Sequence, residues 1–132
     1  MSKKLLGLIV FGVAFGFVEA AVVYYLRQLP DFSRNVEMDR EAATILMLVG
    51  ISVAAGTGWK QKIGAFLITF SLWDLFYYIF LKLLLNWPTS LLSQDIYFLI
   101  PVPWIGPVII PVIIFTLLLI LGIRLYMPKS KV

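Results

Sequence analysis

From Leu5 to Leu26 the sequence is apolar apart from Glu19. Three further runs share that character: Ala42–Gly58, Ile63–Leu85 with Asp74 and Lys82 inside it, and Trp104–Tyr126 with no charge before Arg124. A hydrocarbon core takes about 20 apolar residues in helical form, so runs of this length limit the chain more than any other feature. They also dominate the composition, with 61% hydrophobic residues, 14% charged and a mean hydropathy of +0.98 over 132 residues. A soluble domain of this size leaves too much of its surface in water to hide that apolar content. The expectation is an all-α integral membrane four-helix bundle. It forms one domain over 1–132, with spans at about 5–26, 42–58, 63–85 and 104–126.

Lys3 and Lys4 before an apolar run, with Val18-Glu19-Ala20 behind it, imitate a signal peptide. The run continues through Ala21–Leu26, which favours an uncleaved anchor. Counting Lys and Arg sets the orientation. Lys3, Lys4, Lys60, Lys62, Arg124, Lys129 and Lys131 fall on one side. Arg27, Arg34 and Arg40 fall on the other, offset by Asp31, Glu37, Asp39 and Glu41, and Asn86–Pro103 has no Lys or Arg. Both termini are therefore expected in the cytoplasm, in a multi-pass protein of the inner membrane. The net charge of +4 reads as anchoring to the lipid bilayer and not as nucleic-acid binding. Asp39 is a candidate N-cap for the second span, with Glu41 at its positive dipole end.

The chain has no histidine and no cysteine, which excludes disulfides, thiolate chemistry and the usual zinc and haem ligand sets. No metal, cofactor or catalytic residue is expected. What stands out is packing. Gly12, Gly16 and Ala20 repeat at four-residue spacing, as do Gly50, Ala54 and Gly58, and small residues let helices approach closely in lipid. These two faces are expected to meet each other or a partner. Glu19 lies on the glycine side of its helix and so faces an interface.

Ser71, Asp74, Tyr78 and Lys82 form a polar stripe on the third span. A charge at that depth persists only when paired, protonated or wet. Glu19 and Lys82 are at compatible depths and are expected to pair. Asp74 then draws on Tyr78, Ser71, the backbone or a shared proton.

Pro30, Pro88, Pro101, Pro103, Pro107 and Pro111 cluster on the outer side. Of these, Pro101, Pro103, Pro107 and Pro111, with Gly106, predict a kinked outer half for the fourth span, because an internal proline removes a donor and clashes with the preceding turn. Residues 89–99 show helical spacing, with Asn86 as a possible cap, and predict a short interfacial or re-entrant helix. Asp95 within it reads as a solvated loop acid.

The strings Phe15-Gly-Phe-Val-Glu-Ala20, Arg40-Glu-Ala-Ala43, Trp73-Asp-Leu-Phe-Tyr-Tyr78 with Lys82, and Ser90-Leu-Leu-Ser-Gln-Asp95 through Ile100-Pro-Val-Pro-Trp-Ile-Gly-Pro107 cover most of the chain. Together they resemble a group of small bacterial four-span membrane proteins, a resemblance that implies four spans and assigns no catalytic residues. In architecture alone, a short four-helix chain with a glutamate in its first span is similar to the small multidrug resistance transporters. That likeness implies a proton-linked role for Glu19 only.

Three functions follow as expectations. The first is a non-catalytic accessory or assembly subunit bound to another membrane protein, or to itself as a homo-oligomer. The second is a small proton-coupled transporter or channel using Glu19 and Asp74. The third is a membrane enzyme acting on a lipid or quinone.

Overall fold

The computed structural model describes residues 2–31 and 33–128. Lys129 and Lys131, counted above for orientation, lie outside the described residues. Four helices and one small hairpin follow in order: α1 (Lys3–Leu26), α2 (Arg34–Ala55), α3 (Trp59–Leu85), β1 (Gln94–Ile96), β2 (Ile105–Pro107) and α4 (Ile109–Tyr126). The helices α1, α3 and α4 are long and apolar enough to cross a membrane.

Capping residues explain the helix limits. Ser2 accepts from the Leu5 N–H at the start of α1, and Ser33 accepts from the Val36 N–H at the start of α2. Helix α2 therefore begins at Arg34, well before the cap expected at Asp39. Its first two turns carry Arg34, Glu37, Asp39, Arg40 and Glu41, and α2 is not among the helices that meet the length and hydropathy requirement for a span. Asn86 ends α3 in the left-handed region (φ 55°). Asn tolerates that conformation better than most residues. Its cap role belongs to the helix before it and not to one after it.

Helix α3 is the hub, packing on α1, α4 and α2. The α1 contact uses the glycines. A Cβ on Gly12 would stand 2.7 Å from the Leu72 Cβ, and one on Gly16 would stand 2.9 Å from the Trp73 carbonyl oxygen. The α4 contact uses Gly64 and Gly122, a pair the sequence reading passed over. A Cβ on Gly64 would meet the Gly122 carbonyl oxygen at 2.8 Å, and one on Gly122 the Gly64 carbonyl oxygen at 3.0 Å. The expected meeting of the α1 and α2 faces does not occur. Ala20 is buried in the bundle, but Gly50 and Ala54 are exposed on α2, and nothing lies within 4 Å of a Cβ on Gly50 or Gly58.

The core sits toward the end of the bundle that holds the start of α1 and the end of α4. Leu5, Leu8, Ala65, Ile68, Leu72 and Tyr126 pack together there. Tyr126 donates to the Ala55 carbonyl at 3.1 Å, and Gln61 donates to the Tyr126 carbonyl at 3.1 Å. These bonds tie the ends of α2 and α4 to the start of α3.

The opposite end carries the hairpin, which replaces the short helix expected at 89–99. Strands β1 and β2 pair antiparallel with Asp95 opposite Gly106. The antiparallel pairing of 94–96 with 105–107 takes the backbone groups a helix over 89–99 would use, and the prolines at 101, 103 and 107 stop a helix from continuing beyond it. Tyr97 lies across Gly106 and donates to the Pro107 carbonyl at 2.6 Å; a Cβ at position 106 would overlap the Tyr97 ring. Helix α4 starts only at Ile109, so the span expected from Trp104 is shortened and the interior kink is absent. Pro111 falls in the first turn, where its missing N–H would have no helical partner in any case. The Val108 and Ile109 N–H groups at that start bond the Ser93 and Leu91 carbonyls at 2.9 and 2.8 Å.

Candidate functional site

The hairpin, the last turns of α1, the first turns of α2 and the middle of α3 enclose a cavity of about 410 Å³. Its charged lining is five carboxylates, Glu19, Glu37, Glu41, Asp74 and Asp95, against two guanidiniums, Arg27 and Arg40. Trp73, Tyr77, Tyr97 and Phe98 supply aromatic wall.

Arg40 is the centre of one network. Its Nη1 donates to Glu19 Oε2 at 2.6 Å and its Nη2 to Glu19 Oε1 at 3.3 Å. Its Nε and Nη2 reach Glu37, the closest contact being 2.8 Å. One planar fork thus serves two carboxylates, with a bidentate contact to Glu19 that a lysine could not make. The expected partner of Glu19 was Lys82. That side chain instead donates to the Pro88 carbonyl at 2.9 Å and holds the chain leaving α3. The correction follows from the true start of α2: with the helix running from Arg34, Arg40 sits two turns inside it and faces α1.

Glu41 makes a second connection. Its carboxylate accepts from the Leu99 N–H at 2.8 Å and the Ile100 N–H at 3.3 Å. The helix-dipole role expected for it is displaced by an anchoring role, with one acid fixing the turn of the hairpin to α2. Asp95 makes a third, accepting from the Tyr78 hydroxyl at 2.7 Å. It is therefore a half-buried bonded acid and not the solvated loop residue expected. Burial pushes its pKa above the ordinary carboxylate value, against the opposing pull of Tyr78, the Ile96 backbone and Arg27.

The stripe on α3 does not act as a unit. Tyr78 bonds Asp95 and Lys82 bonds Pro88, whereas Ser71 is buried with no partner for its hydroxyl among the described residues. Asp74 lines the cavity, makes no hydrogen bond through either carboxyl oxygen to the described residues, and has its Oδ2 sealed from solvent. The neighbouring Trp73 is 5% exposed and its Nε1 has no acceptor among the described residues. Buried polar atoms are normally bonded, so these orphans set Asp74 and Trp73 apart from the bonded acids of the lining.

Sequence reasoning placed Glu19 and Asp74 here, and missed Arg40, Glu37, Glu41, Arg27 and the wall residues Trp73 and Tyr77. Ser33 ahead of Glu37 was the available signal, because a helix capped there brings Glu37 and Arg40 onto one face at i, i+3 spacing. Pro101 and Pro103 lie in the hairpin loop, away from this lining. No group of three or more metal-ligating side chains comes together among the described residues. No protein-family model, curated protein or solved structure matches the chain.

Proposed function

We propose that the chain is a four-span protein of the cytoplasmic membrane, with both termini inside, serving as a non-catalytic accessory or assembly subunit of a larger membrane complex. Helix α2 is the fourth span in this reading. Its 22 residues reach about 33 Å at 1.5 Å per residue. Its charges are confined to the segment Arg34–Glu41 at the hairpin end, where Arg40 is neutralised by Glu19 and Glu37.

The observation that carries the subunit reading is the unused small face of α2. Gly12, Gly16, Gly64 and Gly122 are all filled by a neighbouring helix, whereas the Gly50–Ala54 face packs on nothing within the chain. Small residues in lipid serve close helix approach, and in this reading the approaching helix comes from another chain. The polar residues fit the same reading: Glu19, Glu37, Arg40, Glu41, Tyr78 and Lys82 are all occupied in holding elements together.

Purification of a tagged chain in mild detergent, followed by mass spectrometry, tests this. A larger membrane protein in stoichiometric amount is expected, and Gly50→Leu should release it. A chain that elutes without a partner, or a complex indifferent to Gly50→Leu, contradicts the reading.

A second reading, a proton-coupled transporter, rests on Glu19 and Asp74 lining one cavity. It requires that Asp74→Asn abolish proton-driven flux in liposomes while the protein still inserts.

A further inference from the structure

The acids that line the cavity differ in a way the subunit reading does not use. Five carboxylates and two guanidiniums line it. Arg40 engages Glu19 and Glu37, two backbone N–H groups engage Glu41, and Tyr78 engages Asp95. That leaves Asp74 as the one lining carboxylate without a bond to the described residues. Beside it Trp73 holds an N–H without an acceptor, in a side chain 5% exposed. At the mouth, Arg27 is exposed and stacks its guanidinium on Trp87 at 4.6 Å from the ring centroid. No carboxylate among the described residues lies within ion-pair distance of it.

Among the described residues, an unbonded acceptor beside aromatic side chains and an unpaired cation at the exposed edge of the same lining match the two ends of a zwitterionic guest. We infer that this cavity binds a phosphoethanolamine group, its ammonium directed to Asp74 between Trp73 and Tyr77 and its phosphate held at the mouth by Arg27. The ammonium supplies N–H donors to the unbonded carboxylate and sits against aromatic faces, which attract cations. The guanidinium supplies a planar fork for the phosphate oxygens. The volume of about 410 Å³ is in the range of small-molecule sites and admits this group with room for the start of a glycerol ester. Either a phosphatidylethanolamine headgroup or free phosphoethanolamine provides this chemistry.

The test uses the full chain, purified and stripped of native lipid. It is titrated separately with phosphatidylethanolamine, with phosphatidylglycerol of the same acyl chains, and with free O-phosphoethanolamine. Binding is read by native mass spectrometry and by the shift in melting temperature. Retention of phosphatidylethanolamine over phosphatidylglycerol assigns the guest to a lipid headgroup; stabilisation by free phosphoethanolamine assigns it to a soluble source. Asp74→Asn should weaken binding by at least about tenfold, the scale of one lost charge-assisted hydrogen bond. Arg27→Gln, an exposed change outside the packed interior, should weaken it to a smaller extent. Equal retention of phosphatidylglycerol, no response to any probe, or full affinity in Arg27→Gln overturns the assignment. So does full affinity in Asp74→Asn; if that variant does not accumulate, the lipid comparison and Arg27→Gln decide.

Discussion

Arg40 shows what a single side chain does in this bundle. It closes a two-carboxylate fork between α1 and α2, helices that otherwise barely touch. Replacing it with Met leaves Glu19 and Glu37 facing each other without a counter-charge. Stripping one partner from a buried pair costs about 3–5 kcal/mol, and the Arg40 side chain is 27% exposed, so a loss of roughly 2–4 kcal/mol is expected in detergent unfolding. Adding Glu19→Gln should return part of that loss, and strictly additive losses would show that the two residues are not coupled. Lys82→Met should show no such coupling to Glu19. Asp95 carries a pH signature. Because burial raises its pKa in the folded state, its charged form is the less favoured one there. Its contribution to stability is therefore greatest below the unfolded carboxylate value and declines as pH rises through the folded one. Asp95→Asn keeps an acceptor for Tyr78 and removes the charge. The melting temperature of this variant should be at least that of the parent at pH 7, with a flatter profile from acid to neutral pH.

At the scale of elements, glycines decide which helices are neighbours. The carbonyl of Trp73 stands against Gly16, so Gly16→Leu forces α1 off α3. Overpacking of this kind costs about 1–3 kcal/mol or more, and loss of folded protein on size exclusion is the expected outcome. Gly50→Ala has open space around it and replaces glycine in a helix interior. It should leave the isolated chain as stable or raise stability by up to about 1 kcal/mol, as measured by thermal unfolding. A destabilised Gly50→Ala would mean that the α2 face is already covered. The two glycine-spaced faces look alike in sequence, and only one is used within the chain. The repeat marks a surface that can be approached; which helix approaches depends on how the connecting segments route the chain.

At the scale of the whole molecule, the two ends of the bundle do different work. One end is an apolar core closed by Tyr126, and the other is a polar cavity roofed by the hairpin. The proposed four-span topology would put the exposed residues Asn35 and Lys60 on opposite sides of the membrane. The chain has no native cysteine, so single cysteines report sidedness directly. In intact spheroplasts an impermeant maleimide should label Asn35→Cys and should reach Lys60→Cys only after lysis. Labelling of both from one side would show that α2 does not cross.

Helix content, the apolar character of three of the four expected spans and the inward direction of Glu19 were legible in the sequence. They depend on composition and on periodicities internal to one helix. The identity of the Glu19 partner was not, because Arg40 is paired across a helix boundary and its depth depends on where Ser33 caps α2. Nor was the hairpin, since residues 89–99 carry helical spacing and only the pairing of Gln94–Ile96 with Ile105–Pro107 overrides it. The cavity likewise came only with the tertiary structure. Its walls are drawn from α1, α2, α3 and the hairpin, and a void between elements has no periodicity in any one of them.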